Sequence, residues 1–445
     1  MSASAALIDF PPVTSLLDLD PESFTQRLRD HGGRASLTWD FERARLVASQ
    51  PWLDELAAAL MANDRDFHRH EGVFLATGPE TGALFGAFVH TTVRGQGAGG
   101  LRQWPYANLD TFLRDGLRLS LGMARKNALA GLWWGGGKGI IARQPGDRFK
   151  DPGYRRVLYR EYGSFTTSLR GLYITAEDVG TSPPDVAAVF ETTRFAISIP
   201  PAVGGSGNPS PATAKGVVCA MEAALDHRGM GTIAGKTIAM QGAGNVAGFM
   251  IEELLARGVG KIIATDITEE RCAEVRARFA GQPLEVRLAA PGDDSILAEP
   301  CDVLAPCALG AVLNPTTIPG IRAPIVCGAA NNQLLDDRRD DHALAERGIV
   351  YVPDYVANRM GIVNCANEQY GSLPQDPAIE RHFGRDWDNA VYVITRAVLE
   401  LASQEGITTA NAANRLADRA CALPHPIWGH RGKAILAALV AEGWG

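Results

Sequence analysis

Two lysines, Lys126 and Lys138, stand in a stretch made mostly of alanine, glycine, leucine and tryptophan: Lys126-Asn-Ala-Leu-Ala-Gly-Leu-Trp-Trp-Gly-Gly-Gly-Lys138. A lysine is normally a solvated surface charge. Apolar surroundings desolvate the ammonium and draw its pKa towards the working range of a catalyst. The three glycines before Lys138 would let the backbone pass close to a ligand. Further on, Tyr173-Ile-Thr-Ala-Glu-Asp178 places acids at the end of an apolar strand-like run, where active sites often collect. A cation that offsets oxyanion charge and a carboxylate that moves protons suit acid–base chemistry at a polar carbon centre.

A second group of residues points to a nucleotide. Thr237-Ile-Ala-Met-Gln-Gly242-Ala243-Gly244-Asn245-Val246-Ala247 reads as a strand entering a GxGxxA turn and then an apolar helix. The glycines permit a tight turn and close approach to a pyrophosphate, and the helix start offers unpaired N–H groups. A second strand ends in Thr265-Asp266-Ile267, and Asp266 lies 24 residues after Gly242. That is close to the spacing of roughly 20 expected for a carboxylate on the adenosine ribose. The bland alternative for Asp266 is a helix N-cap. A carboxylate there repels a 2′-phosphate, so NAD is favoured over NADP, a preference tempered by Arg271 nearby.

The elements that must position these groups fall into two patterns. Residues 1 to about 70 read as an extension with helical segments such as Pro51–Leu60. Strand-like runs follow at Val73–Ala76 and Ala83–Thr91, then a glycine-rich turn at Gly95–Gly100 and a helix over Leu109–Asn127. Gly204–Ser210 is the best linker, with Ser210 as N-cap and Pro211 at the first helical position of the next helix. From about 235, strand candidates at Thr237–Gln241, Ile262–Thr265, Val303–Pro306, Ile325–Gly328 and Ile349–Val352 are spaced for parallel βαβ units. The tail from about Asp376 is helical.

At 445 residues two domains are the natural expectation, and 46% hydrophobic with 21% charged residues is ordinary for a soluble protein. The net charge of −7 argues against nucleic-acid or anionic-membrane partners. No apolar run is long enough to span a bilayer, and the N-terminus lacks the pattern of a signal peptide. Seven dispersed cysteines without a CxxC pair fit reduced thiols in a cytoplasm rather than disulfides or zinc. His68-Arg-His70 has no partner cluster, so it reads as a surface helix end and no metal is expected. His425 and His430 read as structural.

At its chemical residues the sequence resembles the Glu/Leu/Phe/Val dehydrogenase family, the leucine dehydrogenase branch most closely. The resemblance covers roughly residues 70 to 375 through eight motifs in order. They are Lys126-Asn, Gly-Gly-Gly-Lys138, Ile174-Thr-Ala-Glu-Asp178-Val-Gly-Thr, Gly205–Thr213, Gly242–Ala247, Pro306-Cys-Ala308-Leu-Gly310, Ala329-Ala-Asn331-Asn-Gln-Leu and Pro353-Asp-Tyr-Val. It implies an α/β fold: a mixed-sheet substrate domain, 1–203 completed by 360–445, and a Rossmann NAD-binding domain, 204–359, with the active site in the cleft. It implies NAD-dependent oxidative deamination of an L-amino acid to the 2-oxo acid and ammonia, and the reverse. Lys126 resembles the lysine that pairs with the substrate α-carboxylate, Lys138 the catalytic lysine, and Asp178 the general acid/base. Thr213 and Asn331 match positions at the nicotinamide end. Gly242, Ala243, Gly244, Asn245, Val246, Asp266, Ile267 and Ala308 complete the cofactor set. A homo-oligomer acting on small molecules is expected.

The side-chain pocket follows from the same resemblance. Glutamate dehydrogenases carry a lysine just before the paired glycines that correspond to Gly99 and Gly100; this chain has Ala98. Burying a γ-carboxylate without that cation is unfavourable, so glutamate is disfavoured. Ala98, Ala176, Ile362 and Cys365 form an apolar pocket with room for a bulky aliphatic or aromatic side chain. Arg359-Met360, where the family is commonly small, either binds an acidic group or points to solvent. Trp133-Trp134 reads as core packing for at least one of the pair. The competing readings are a glutamate-type enzyme, another Rossmann oxidoreductase sharing only the nucleotide motif, and a catalytically silent NAD-binding relative.

Overall fold

The computed structural model describes residues 15–445, so the first fourteen residues of the N-terminal extension lie outside the described residues. The first sheet contains β1 (Arg34–Asp40), β2 (Arg45–Ala48), β3 (Gly72–Thr77), β4 (Leu84–Thr91), β5 (Gly97–Trp104), β6 (Gly135–Ala142) and β7 (Tyr173–Glu177). Their order is β2-β1-β3-β4-β6-β5-β7. The β1–β4 half is antiparallel, and β6, β5 and β7 run parallel. Helix Leu109–Leu129 crosses from β5 to β6, started by a capping box between Asn108 and Thr111. Helix Pro152–Ser168 crosses from β6 to β7 on the other face. Each face buries its own core: Phe88, Ile140 and Leu113 on one side, Phe85, Ile141 and Tyr162 on the other.

The glycine-rich segments correct two expectations. Gly95–Gly100 reads as a turn, yet β5 begins at Gly97. The triplet Gly135–Gly137 opens β6, and protein rather than ligand fills the space beside it. A Cβ at Gly135 would lie 1.8 Å from Thr91 O, at Gly136 2.2 Å from Ser120 O, and at Gly137 2.6 Å from the Tyr173 ring. These glycines let strand and helix backbones meet. Strands β1 and β2 lie in a region that reads as helical because both are short and interrupted by polar residues. His70 is likewise fully buried in a loop rather than at a surface helix end, its ring on Leu117 O.

The second sheet contains β8 (Thr237–Gln241), β9 (Lys261–Asp266), β10 (Leu284–Leu288), β11 (Val303–Pro306), β12 (Ile325–Val326) and β13 (Val350–Tyr351). All pairs are parallel, in the order β10-β9-β8-β11-β12-β13. Counted within this sheet the order is 3-2-1-4-5-6, the doubly wound dinucleotide-binding arrangement. The helix after the linker runs Ser210–His227 with Pro209 at the cap position, one residue earlier than its sequence predicts. Its apolar face joins Asn245–Ala256 and Val391–Glu405 in one core. The tail divides: Thr409–Cys421 packs on Leu109–Leu129, while Leu436 and Leu439 of Arg431–Ala441 join the first sheet's core. Among the described residues no helix is long and apolar enough to cross a membrane.

Candidate active site

The three parallel strands β6, β5 and β7 present one face on which side chains alternate in register. Ala98 lies opposite both Gly136 and Ile174, Gly100 opposite Ala176, and Arg102 opposite Ile140. Gly100 is therefore level with Lys138, and Arg102 reaches Asp178 just beyond β7. A Cβ at Gly100 would come within 2.7 Å of the Asp178 Cβ, so only glycine keeps the floor of this face open. Gly99 supplies backbone alone: Tyr173 Oη donates to its carbonyl at 2.8 Å, and its Cβ position is occupied by Gly137 O.

Lys138 is buried and its Nζ donates to Asp178 Oδ2 at 2.5 Å. Arg102 Nε donates to the same Oδ2 at 3.3 Å. Burial pushes the Asp178 carboxyl up, but the two cations outweigh it and hold it at about 2. Burial likewise lowers the Lys138 ammonium, with Asp178 opposing. Lys126, from helix Leu109–Leu129, differs: among the described residues its Nζ has no carboxylate within ion-pair distance and no hydrogen-bond partner. Burial lowers its pKa, and Asp354 opposes that from across the cleft. The Asp354 carboxyl is raised by burial, offset by Lys126, and accepts from Asn332 N at 2.5 Å. The arrangement offers an unpaired cation for an anion, beside a lysine–carboxylate pair that can handle an oxygen and a proton.

Ala98, Ala176 and Cys365 meet in one apolar cluster, with Ile362 packed against it. Burial pushes the Cys365 thiol up to about 12, so it remains a neutral wall. Trp134 belongs to the same cluster with Ile174 and Ile197, so it packs directly with the apolar residues named from the sequence. Trp133 stays 42% exposed beneath the Arg94 guanidinium, 4.3 Å from its ring. Neither expectation for Arg359 holds. It is fully buried, and it donates to Leu129 O at the end of helix Leu109–Leu129 and to Asn389 O. Burial lowers its pKa to about 9.

On the nucleotide side, Gly242 has φ 97°, and a Cβ there would lie 2.8 Å from the Ala308 Cβ. Glycine is required twice over at this turn. Gly244 caps helix Asn245–Ala256 with no side-chain hydrogen bond, leaving the first N–H groups open beside exposed Gly244 and Asn245 and half-buried Val246. Asp266 accepts from Ala243 N and from Thr268 N, each at 3.0 Å, so the carboxylate joins the turn to the end of β9. Exposed Ile267 follows it. Arg271 is occupied by Ala243 O at 2.6 Å and Glu274 at 2.7 Å. Thr213 Oγ1 donates to Pro209 O at 2.9 Å, and a Cβ at Gly361 would lie 3.1 Å from it. Asn331 is exposed, with its Oδ1 accepting from Asn358 Nδ2 at 2.7 Å. An open helix start, a glycine that must lack a side chain and a carboxylate at the next strand fit a dinucleotide.

Sequence reasoning missed four residues: Arg102, its partner Asp115, Asp354, and Trp134 as part of the apolar cluster. Arg102 was signalled by the alternation Ala98, Gly100, Arg102, which becomes legible once β5 is known to be a strand.

A doubly wound nucleotide half facing a mixed-sheet half defines a two-domain oxidoreductase. The family model described as Glu/Leu/Phe/Val dehydrogenase, dimerisation domain, matches residues 83–195. That described as Glutamate/Leucine/Phenylalanine/Valine dehydrogenase matches residues 204–269 and 266–423. Leucine dehydrogenase of Bacillus cereus is 40% identical over 350 residues, covering 78% of this chain and 90% of the relative. L-tryptophan dehydrogenase of Nostoc punctiforme is 35% identical over 352 residues, 78% of this chain and 92% of the relative. Its crystal structure matches with a TM-score of 0.64, covering 79% of this chain and 96% of that one at 33% identity. The chain belongs to the Glu/Leu/Phe/Val dehydrogenase family and is an amino-acid dehydrogenase.

Proposed function

We propose that this enzyme converts an L-amino acid with a bulky aliphatic or aromatic side chain, NAD and water into the 2-oxo acid, ammonium and NADH, and runs the reverse. The observation that carries this reading is the unpartnered Lys126 ammonium close to the Lys138–Asp178 pair, on a sheet that also carries an apolar cluster. Lys126 binds the substrate α-carboxylate. Lys138 stabilises charge developing on the oxygen bonded to Cα, and Asp178 exchanges protons with water and the departing amine. Gly242, Ala243, Gly244, Asn245, Val246, Asp266, Ile267 and Ala308 would hold the dinucleotide, with Thr213 and Asn331 at its nicotinamide end. When bound, that ring accepts the hydride from Cα. Ala98 supplies no cation for a γ-carboxylate, which supports an apolar substrate over glutamate.

The reading extends to the whole protein. Residues 1–203 with 360–445 form the substrate domain and 204–359 the nucleotide domain, with helix Val391–Glu405 on the seam. A cytoplasmic homo-oligomer is supported by the dimerisation-domain match and by seven free cysteines. The test is NADH or NADPH formation across the twenty common amino acids. Turnover of leucine, phenylalanine or tryptophan with NAD is expected; turnover of glutamate alone, or of none, overturns the proposal.

A further inference from the structure

The two cations that hold the Asp178 carboxylate grip the same oxygen. Lys138 and Arg102 both donate to Oδ2, and among the described residues no side chain reaches Oδ1. The second cation is itself immobilised. Arg102 Nη1 donates to both oxygens of Asp115 at 3.1 Å, and Tyr106 Oη donates to Asp115 Oδ2 at 2.6 Å. Asp115 stands on helix Leu109–Leu129 and Arg102 on β5, so two regular elements fix the guanidinium.

Lys138 and Arg102 are not equivalent. The proposed reaction needs Lys138 to leave Asp178 for the substrate oxygen, whereas Arg102 is spent on Asp115 and Asp178 and cannot follow. An arginine also keeps its proton where a desolvated lysine can lose it. We infer that Arg102, locked by Asp115 and Tyr106, is a positioning residue that keeps hold of Oδ2 when Lys138 departs, so that Asp178 stays ionised and aimed through Oδ1. This rests on the proposed deamination.

The surroundings of Asp178 set the direction of the test. Three cations face it: Lys138 from β6, Arg102 from β5 and Lys126 from the crossover helix. Asp115 and the adjoining Glu177 oppose them, and burial pushes Glu177 up. The phenols of Tyr106 and Tyr173 are raised above their ordinary value by burial and stay protonated. The value near 2 belongs to the state with Lys138 in place. When that lysine turns away, the carboxyl rises, and Arg102 is the nearest cation left to limit the rise.

The experiment compares wild type with Arg102→Met, Arg102→Gln and Arg102→Lys. Removing one close opposite charge is worth roughly 1–3 pH units on an aspartate, so the acid limb of kcat, which reports the substrate-bound state, moves up by that amount in either neutral variant. Loss in kcat is roughly 10-fold, short of the roughly 10²–10⁴-fold for removing the proton-transfer group itself. Arg102→Lys returns the limb towards wild type. Titration of ¹³Cγ-aspartate, with Asp178→Asn for assignment, reads the same upward shift without turnover, so it stands even if the deamination reading fails. A limb and an Asp178 titration that coincide with wild type in a folded neutral variant overturn the inference, whatever happens to kcat.

Discussion

Lys126 is a half-buried ammonium with no anion in reach, whereas Lys138 is held on Asp178 at 2.5 Å, and this difference predicts different kinetics for their removal. A contact to the substrate α-carboxylate exists in ground and transition states alike, so Lys126→Ala raises KM more than it lowers kcat. Lys138→Ala and Asp178→Asn lower kcat by roughly 10²–10⁴-fold while NADH affinity, read by fluorescence titration, is nearly unchanged. Wild-type kcat in Asp178→Asn would move the proton-transfer role to Glu177. At the other end of the cleft, the Asp266 carboxylate would repel a 2′-phosphate, and Arg271 is already engaged. Asp266→Ser therefore narrows the proposed preference for NAD, measured as the ratio of kcat/KM for the two cofactors. Equal ratios in wild type and variant would remove the carboxylate from cofactor choice. The lysines, Asp178 and the glycine turn were legible because their motifs are contiguous in sequence. Arg102 and Asp354 were not, since each acquires its partner only through strand register or across the cleft. Arg359 was misread for the same reason, because its partners, Leu129 O and Asn389 O, are remote in sequence.

At the scale of the element, β6 shows why composition misled. A run of glycines reads as a turn or a ligand cradle, yet here it allows helix Leu109–Leu129 to lie directly on the strand. The six-stranded sheet was largely visible because its buried strands are short apolar runs at βαβ spacing. β10 escaped notice because Leu284-Glu-Val-Arg-Leu alternates with charge at the sheet's edge. The glycine argument is testable within a single pair of elements. Gly136→Ala would set a methyl 2.2 Å from Ser120 O and 2.5 Å from the Ala124 Cβ. Overpacking of this kind costs about 1–3 kcal/mol, read as a lower denaturation midpoint with an unchanged m-value. Gly122, on the helix itself, has nothing within 4 Å of its Cβ position. Gly122→Ala stabilises by about 0.5–1 kcal/mol through helix propensity. If both substitutions moved stability the same way, close helix–strand contact would not be the reason for the triplet.

Over the whole molecule, the same burial that builds the site sets its tolerance to acid. His70 is fully buried, its Nδ1 accepts from His68 N at 3.2 Å, and its Nε2 therefore donates to Leu117 O at 2.9 Å. Burial lowers its pKa from 6.5 to about 3, and His382 is lowered to about 3 by the same cause. A depressed folded pKa means that the neutral form is favoured in the fold. Stability is then fully present above pH 6.5 and is lost progressively as pH falls towards 3. Asp178 acts in a lower window: its stabilisation is present above about 3.8 and disappears as pH falls through about 2. Moderate acid therefore attacks the histidines first and leaves the Lys138–Asp178 pair intact. For one histidine with these limits, linkage gives a loss of about 2 kcal/mol between pH 7 and pH 5. His70→Gln keeps a donor for Leu117 O but cannot titrate. The variant is less stable than wild type at pH 7, yet its unfolding free energy falls by about 2 kcal/mol less on going to pH 5. Urea denaturation of both proteins at the two pH values decides the matter. Parallel losses would mean that His70 is not the group through which mild acid loosens the first sheet.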